Sequence, residues 1–419
     1  VMVCFVIGIY YAAIIGWAGM YTLFSINQAW GADPKAFLMQ DFLHVADAPG
    51  VGLDFVPSLF VPILAVWAVT LITVALGVNK GLAMVNKIFM PLLVVMFLIL
   101  VVQSLFLPGA DTGLDALFTP EWGALGDPAV WAAAFGQIFF SLSVGFGIML
   151  TYASYLQRRR SNLVGTGLVA GFANSSFELF GGIGVFATLG FMAHVQNVSV
   201  GELEGITGPA LAFVTFPTVI SQMPGGPLFG FLFFASFTLA GLTSFISIIQ
   251  VVAAGVGEKL DLTPKKASLV VGVPAAVLSF VLFATSSGLP DLDVVDAYIN
   301  NIGVVASAIT MCVGLGLVLR RFKILRRHLN VVSETRAVGE WWRGTAAVVV
   351  PALLGYMFIQ TVWSYAHDGY TYSRGFEAVF GWGMLFAGAV VTAVLTAIPW
   401  RTPVDDFTPI ALDAYEEVK

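Results

Sequence analysis

Charged residues are scarce in this sequence: they make up 11 % of its 419 residues, whereas hydrophobic residues make up 58 %. A soluble chain of this length would fold into two or three domains, whose surfaces would need far more charge than is available. A domain surrounded by lipid needs little charge, because its outer surface does not face water. The composition therefore excludes an ordinary soluble protein and predicts a membrane protein.

Cysteine is almost absent as well. The two cysteines, Cys4 and Cys312, both lie within apolar runs, which excludes a disulfide framework and a metal site of the Cys/His kind. The net charge is −6, and no basic surface with interleaved aromatic residues is indicated. Nucleic acid is therefore not an expected partner.

Long apolar runs dominate what is present. About ten of them follow one another, each of roughly 19 to 30 residues, near the length that a helix needs to cross a hydrocarbon core of about 30 Å. They predict an all-α polytopic membrane protein with a single transmembrane domain over 1–401 and a tail over 402–419. The predicted spans are 1–28, 57–78, 88–107, 130–155, 163–191, 227–257, 266–288, 295–319, 345–366 and 378–400.

Basic residues are concentrated in alternate loops. Of the 19 lysines and arginines, 17 fall in one set of loops and at the chain end, whereas Lys35 and Arg374 fall in the opposite set. The positive-inside rule assigns the first set to the cytoplasm, so both ends of the chain are expected there, in a multi-pass protein of the inner (plasma) membrane. The connections 30–56 and 192–226 hold apolar stretches too short to span, and we expect them to cap the outer face.

The fourth predicted span is interrupted by polar and small residues. It contains Gln137, Ser141 and Ser143, followed by Gly145 and Gly147. Glycine weakens a helix, and unwound backbone at membrane depth must line a cavity or bind a ligand. A broken helix offers carbonyl oxygens to a cation and amides to a carboxylate. Alternatively, the glycines only allow neighbouring helices to pack closely.

Two further spans carry polar residues. Asn174 and Glu178 lie four residues apart on one helical face, and a carboxylate inside a span marks an ion path or a buried pair by default. Thr243 and Ser244 are adjacent hydroxyls in the sixth span. With Ser141 these side chains supply neutral oxygen donors, which suit sodium better than zinc, calcium or magnesium. The alternatives are a protonated Glu178 hydrogen-bonded to the preceding span and hydroxyls that bond back to the preceding turn.

At these residues the sequence resembles the neurotransmitter:sodium symporter family, especially its bacterial amino-acid transporters of the leucine-transporter type. The likeness covers essentially the whole chain, from the family's third helix to its twelfth, and implies the inverted-repeat fold of that family. The family's first two helices have no counterpart here, and because Val1 is not an initiator methionine we expect a piece of a longer protein. The matching motifs are IYY (9–11), FTPEW (118–122), DPAVW (127–131), GQIFFSLS (136–143), GFG (145–147), TYASY (151–155), NSSFE (174–178) and AGLTS (240–244).

The resemblance implies a secondary active transporter that imports a neutral amino acid with sodium by alternating access. Two sodium sites are implied, one with Ser141 and Asn174, the other with the Ala240 carbonyl and the hydroxyls of Thr243 and Ser244. Tyr11 would hydrogen-bond the substrate carboxylate. The pocket is mostly apolar and carries no acid, which favours an aliphatic or small aromatic amino acid. The implied substrate-binding residues are Ile7, Tyr11, Phe140, Ser141, Ser143, Phe146, Ser244 and Ile248.

Charge compensation and gating are also implied by the resemblance. Glu178 occupies the position where chloride-independent bacterial members place a carboxylate, so no chloride requirement is expected. Asp296 matches an outer-gate acid and Glu258 an inner-gate acid, and both basic partners lie in the missing amino-terminal part of the family. Both acids are therefore expected to be unpaired. Tyr155 and Gln137 complete the implied gating residues.

Alternatives remain open from the sequence alone. One is a proton-coupled permease of the same architecture with Glu178 as the proton carrier, and another is that this chain by itself is an inactive membrane scaffold. An enzyme or an ATP-driven pump is disfavoured, because neither an HExxH nor a GxxxxGK motif occurs. A serine hydrolase would also need a base within reach, and the four histidines fall in loops or at span edges. The expected partners are the amino acid and the lipid bilayer, and a homodimer is compatible with the sequence.

Overall fold

The computed structural model describes residues 1–46, 49–50, 52–77, 83–156, 162–203, 208–333 and 338–401. The predicted tail over 402–419 and the basic residues Lys80 and Arg158 to Arg160 lie outside these ranges. Within them the chain is almost entirely helical, and a single bridge between Phe55 and Thr285 is the only β-pairing. The all-α prediction is confirmed for this part of the chain.

Nine helices of the described part are long and apolar enough to cross a membrane. Such sequences become helical in lipid because a helix satisfies its own backbone hydrogen bonds. The main helices are, in chain order, α1 (Met2–Phe24), α2 (Pro57–Ala75), α3 (Ala83–Ser104), α4 (Ala110–Phe118), α5 (Pro128–Ser141), α6 (Ile148–Ser154), α7 (Leu163–Gln196), α8 (Gly226–Leu260), α9 (Pro264–Phe283), α10 (Gly288–Val318), α11 (Phe322–Val332), α12 (Glu340–His367) and α13 (Arg374–Ala397).

The fourth predicted span, 130–155, is not one continuous helix. It forms α5 and α6, which are 14 and 7 residues long, and the chain between them leaves the helical path. Each piece is too short to cross a bilayer alone. The nine long helices and this broken one account for the ten predicted spans, although α7 and α8 extend to 34 and 35 residues, beyond their predicted ends.

Helix α1 packs closely against α8 at the centre of the molecule. A Cβ atom added to Gly8 would lie 2.8 Å from Cδ1 of Ile249, and one added to Gly241 would lie 2.9 Å from Cγ1 of Ile15. Small residues let two membrane helices approach in this way. The close approach places the Tyr11 side of α1 next to the α8 segment that contains Ser244.

The two long connections pack against this core, as their apolar content predicts. The Tyr21 ring of α1 lies 5.0 Å from Phe213 and stacks on Trp30 at 5.9 Å, centroid to centroid. All three side chains are almost completely buried. Aromatic contacts of this kind therefore attach the segments 30–56 and 192–226 to one end of the helix bundle.

Replacing Gly113 with alanine should destabilise the protein, because α4 meets α7 there without room for a side chain. A Cβ atom on Gly113 would lie 1.8 Å from the carbonyl oxygen of Phe186. Overpacking costs roughly 1 to 3 kcal/mol, so the midpoint of thermal unfolding in detergent should fall by roughly 1 to 3 °C. The matched control is Gly182→Ala on α7, whose added Cβ meets only Leu117 at 3.9 Å. Equal midpoints for the two variants would contradict this packing.

Candidate functional site

The chain between α5 and α6 turns through residues with left-handed backbone angles. Ser143 has φ +51°, Gly145 φ +89° and Gly147 φ +85°. Side chains from distant helices hold the exposed carbonyls: the Ser307 hydroxyl donates to Gly145 O at 3.1 Å, and the Cys4 thiol donates to Phe146 O at 2.9 Å. The break is therefore an ordered element between α1 and α10, with backbone oxygens in the middle of the bundle.

Helix α5 approaches the break alongside α7, and two pairs of polar side chains join them. The Asn174 amide donates to the Ser141 hydroxyl, and the Gln137 amide donates to the Glu178 carboxylate at 3.4 Å. The two pairs are separated by four residues, about one helical turn, along both α5 and α7. The predicted common face of Asn174 and Glu178 therefore faces α5. Asn174 and Ser141 are half-buried, whereas Glu178 and Gln137 are exposed.

A second group of predicted residues lies where α1 meets α8. The Thr243 hydroxyl donates to Ala240 O at 2.9 Å, and the Tyr11 hydroxyl is hydrogen-bonded with Ser244. The Thr243 contact is the bond to the preceding turn that hydroxyls commonly make, and it also brings two of the predicted sodium ligands together. Tyr11 packs against the Phe245 ring at 6.3 Å.

The apolar residues predicted to line the pocket are buried around this junction. Ile7, Phe146 and Ile248 are 3 %, 7 % and 6 % exposed. Ile7 and Tyr11 lie four residues apart on α1, as Ser244 and Ile248 do on α8, so each pair occupies one face of its helix. The side chain of Phe140 lies outside the described part of the structure.

Helix α6 is attached to α8 by two side-chain hydrogen bonds. The Tyr152 hydroxyl donates to Ser247 at 2.6 Å, and the Gln250 amide donates to the Tyr155 hydroxyl at 2.8 Å. The two pairs are separated by three residues, about one helical turn, along both α6 and α8. The predicted gating residue Tyr155 thus has a partner on α8. Glu258 lies away from it, exposed near the end of α8.

Asp296 is held by neutral donors. The Tyr10 hydroxyl donates to its carboxylate at 2.5 Å and the Asn300 amide at 2.7 Å. These partners carry no charge, and no ion pair reaches Asp296 from the described residues, so the expectation that it lacks its basic partner stays a prediction. Because Tyr10 precedes Tyr11, α1 connects this acid directly to the predicted substrate pocket.

A cavity of about 250 Å³ lies between Asp296 and Tyr11. Its walls are mostly apolar and come from α1, α8, α10 and the segment 208–213 of the second long connection. The carboxylates of Asp293 and Asp296 are its charged groups. The cavity therefore leads from the end of the bundle covered by the long connections towards the Tyr11 hydroxyl.

The loop between α12 and α13 lies beside this cavity. The Tyr370 hydroxyl donates to Asp293 at 3.2 Å, and Tyr372 is hydrogen-bonded with the same carboxylate. Burial, followed by the charge of Asp293, raises the pKa of Tyr370 and raises the pKa of Tyr372 to about 12. Both phenols therefore stay protonated at neutral pH and remain donors to Asp293.

Glu377 fixes the shape of this loop. Its buried carboxylate accepts hydrogen bonds from the backbone N–H groups of Tyr370, Thr371 and Tyr372 at 2.9, 2.9 and 3.0 Å. All three donors meet the same oxygen, Oε1, while Oε2 accepts from the Tyr298 hydroxyl at 3.4 Å. An amide side chain carries no charge, so its oxygen accepts the three backbone bonds more weakly, and its NH2 group cannot accept from Tyr298.

Glu377→Gln should therefore destabilise the protein by roughly 2 kcal/mol, measured as a lower midpoint of thermal unfolding in detergent. Asp368→Asn is the matched control, because Asp368 is an exposed acid at the start of the same loop. An unchanged midpoint in Glu377→Gln would show that the carboxylate does not hold the loop.

Sequence reasoning missed several of these polar residues. Tyr10, Tyr152 and Glu377 are each hydrogen-bonded to a side chain more than 75 residues away in sequence. No spacing in the sequence indicates these partners. Glu377 directly precedes the predicted terminal span 378–400, so the rule that marks acids inside a span as paired or functional does not select it.

Comparisons with known proteins identify the family of this chain. A profile of the Sodium:neurotransmitter symporter family matches residues 31–402. The chain is 33 % identical over 398 residues to an uncharacterized sodium-dependent transporter of Methanocaldococcus jannaschii, an alignment that covers 93 % of this chain and 79 % of that protein. It is 26 % identical over 370 residues to an uncharacterized sodium-dependent transporter of Bacillus subtilis, covering 86 % of this chain and 78 % of that one.

A eukaryotic relative matches less of its own length. The sodium- and chloride-dependent glycine transporter 2 of Xenopus laevis is 30 % identical over 306 residues, which are 72 % of this chain and 38 % of that protein. All three relatives are transporters rather than enzymes, and the family match extends over most of the helices described above. The chain belongs to the sodium:neurotransmitter symporter family of polytopic, helical, sodium-dependent membrane transporters.

Proposed function

We propose that this protein imports a neutral amino acid together with sodium ions and without a chloride requirement. The observation that carries the proposal is the break between α5 and α6, where backbone carbonyls adjoin the hydrogen-bonded pair of Ser141 and Asn174. Unwound backbone at membrane depth is stable where it lines a cavity or binds an ion. Family membership supports sodium as that ion.

Two groups of neutral oxygen atoms are suited to sodium. Ser141 and Asn174 form the first group, between α5 and α7. The Ala240 carbonyl, Thr243 and Ser244 form the second, on α8. Hydroxyl, amide and carbonyl oxygens are ligands that hard cations prefer, and the absence of thiolate or imidazole in either group disfavours transition metals. We therefore propose one sodium ion at each group.

The substrate is proposed to lie between these two groups, at Tyr11. Ile7, Phe146 and Ile248 supply buried apolar surface, and Tyr11 and Ser244 supply hydroxyls that can bind a carboxylate. Ser143 lies in the break beside this surface. No acid belongs to the set, so a substrate with a cationic side chain would have no partner there. An aliphatic or small aromatic amino acid fits this chemistry.

Glu178 supports the proposed independence from chloride. Its carboxylate lies one helical turn from Asn174 and is hydrogen-bonded to Gln137. A fixed negative charge near an incoming sodium ion can compensate the charge of that ion, as a bound chloride would. The names of some relatives include chloride and those of others mention sodium alone, so the family itself does not decide this point.

The same carboxylate supports one rival function, proton-coupled transport. An exposed acid within a span that is hydrogen-bonded to an amide could carry a proton instead of compensating sodium charge. The two functions differ in the driving ion, which transport assays separate directly.

The proposed mechanism is alternating access in the inner (plasma) membrane, with both chain ends in the cytoplasm. The cavity of about 250 Å³ between Asp296 and Tyr11 would then be the route from the outside to the substrate pocket. The bonds of Tyr152 and Tyr155 to α8 would close the opposite side, since they hold α6 in place. A homodimer is compatible with this arrangement but is not required by it.

The test is uptake of a labelled amino-acid mixture into proteoliposomes under three conditions. These are an inward sodium gradient, an inward proton gradient without sodium, and a sodium gradient with chloride replaced by gluconate. We expect accumulation under the first and third conditions only. Uptake driven by protons alone would replace the proposal with the rival function, and no uptake under any gradient would leave this chain as a membrane scaffold.

A further inference from the structure

Helix α11 has two chemically different faces. Lys323, Arg326, Arg327 and Asn330 occupy one side, while Phe322, Leu325, Leu329 and Val332 occupy the other. A short helix with a basic face and an apolar face is typical of one that lies in the plane of a membrane surface. Here it connects the end of α10 to the start of α12.

Phe322 anchors α11 to both neighbouring spans. Its ring is 8 % exposed, lies against Gly316 of α10, and meets Trp342 of α12 edge-on with centroids 5.5 Å apart. The basic face is therefore held at a defined position beside the two helix ends.

A pocket of about 640 Å³ opens at this junction, and we call it the basic pocket. Its cationic groups are Arg320, Lys323 and Arg343, and its one acid is Glu340. The carboxylate of Glu340 already accepts Arg326 at 2.6 Å and Arg343 at 2.5 Å. Since no ion pair reaches Arg320 or Lys323 within the described residues, the pocket carries an excess of positive charge.

The rest of the basic pocket is apolar and open to the lipid side. Gly316, Leu317 and Ala347 line it, and Leu317 is 53 % exposed. The adjoining Trp341 is 70 % exposed, as expected for a tryptophan at the boundary between lipid and water. Helix α12 has the smallest buried share among the nine long helices, so acyl chains have apolar surface to lie against below the pocket.

We propose that the basic pocket binds the phosphate of an anionic phospholipid, with Arg320 and Lys323 as its principal contacts. Basic pockets between membrane helices are suited to lipid headgroups, and the neighbouring apolar surface distinguishes a lipid from a soluble phosphate. The excess of lysine and arginine on this side of the bundle places the lipid in the inner leaflet. The site lies away from the transport pathway and needs none of the proposed sodium or substrate ligands.

The test is native mass spectrometry of the purified full chain titrated with phosphatidylglycerol and, separately, with phosphatidylcholine of the same acyl chains. The variant is Arg320→Gln with Lys323→Gln. Lys265→Gln with Lys266→Gln is the matched control, because these two exposed lysines lie at the start of α9 on the same side. We expect the variant to bind phosphatidylglycerol about 25-fold more weakly, roughly fivefold for each of the two charges removed, with phosphatidylcholine binding unchanged.

Three results would overturn the proposal. They are equal phosphatidylglycerol affinity in variant and parent, an equal loss in the control variant, and displacement of the lipid by millimolar inorganic phosphate, which would assign the pocket to a soluble anion. If the double variant does not fold, Lys323→Gln alone changes one exposed side chain and should weaken phosphatidylglycerol binding about fivefold. Unchanged binding in that single variant would count equally against the proposal.

Discussion

Asn174→Ala is expected to raise the half-saturating sodium concentration of amino-acid uptake by at least tenfold. In the structure the Asn174 amide meets the Ser141 hydroxyl beside the break between α5 and α6. The substitution removes an amide oxygen that would bind the ion and leaves Ser141 without its partner. A hydrogen bond or ligand contact to a charged group contributes roughly 1.5 to 3 kcal/mol, which corresponds to a factor of about 10 to 150. The measurement is sodium-dependent uptake in proteoliposomes at saturating amino acid.

Ser175→Ala is the matched control for this experiment. Ser175 is the next residue of α7, is exposed, and belongs to neither proposed sodium site. Its sodium dependence should equal that of the parent. If Asn174→Ala retained the parent's sodium dependence, the first sodium site would have to lie elsewhere, even if uptake itself required sodium.

Glu178→Gln is expected to make uptake dependent on chloride. Two unit charges about 8 Å apart interact by about 2 kcal/mol at an effective dielectric constant near 20. Loss of the carboxylate should therefore raise the half-saturating sodium concentration about 30-fold in chloride-free buffer. Chloride should restore part of that affinity in the variant and have no effect on the parent. The measurement is sodium-dependent uptake with chloride or gluconate as the only small anion.

Two control variants separate charge from other effects of this substitution. Glu178→Asp keeps the charge and should remain independent of chloride. Glu121→Gln removes an exposed acid before α5 and should behave as the parent does. A parent protein that fails to transport without chloride would contradict the role assigned to Glu178. Loss of proton-driven uptake in Glu178→Gln would instead support the proton-coupled rival.

Several features of the fold were predictable from local sequence. Apolar runs of membrane-spanning length predict where the chain crosses the bilayer, and the structure has helices at all ten positions. The cluster of serines and glycines over 141–147 predicts the interruption of the fourth span. Helical periodicity predicts that Asn174 and Glu178 share a face, and both of them meet α5. The length of an apolar run, the presence of glycines and the 3.6-residue helical spacing each depend only on residues close together in sequence. These features can therefore be predicted without knowing the tertiary structure.

The sequence by itself thus determined that this protein is helical, where its spans lie, and which span is broken. The tertiary structure alone decided which polar groups meet: Tyr10 with Asp296 across 286 residues, Tyr152 with Ser247 across 95, and Cys4 with the backbone of the break across 142. It also decided that Glu377 holds the loop beside Asp293. The reason is physical: a buried donor must find an acceptor somewhere in the bundle, and which one it finds depends on how helices far apart in sequence pack against each other.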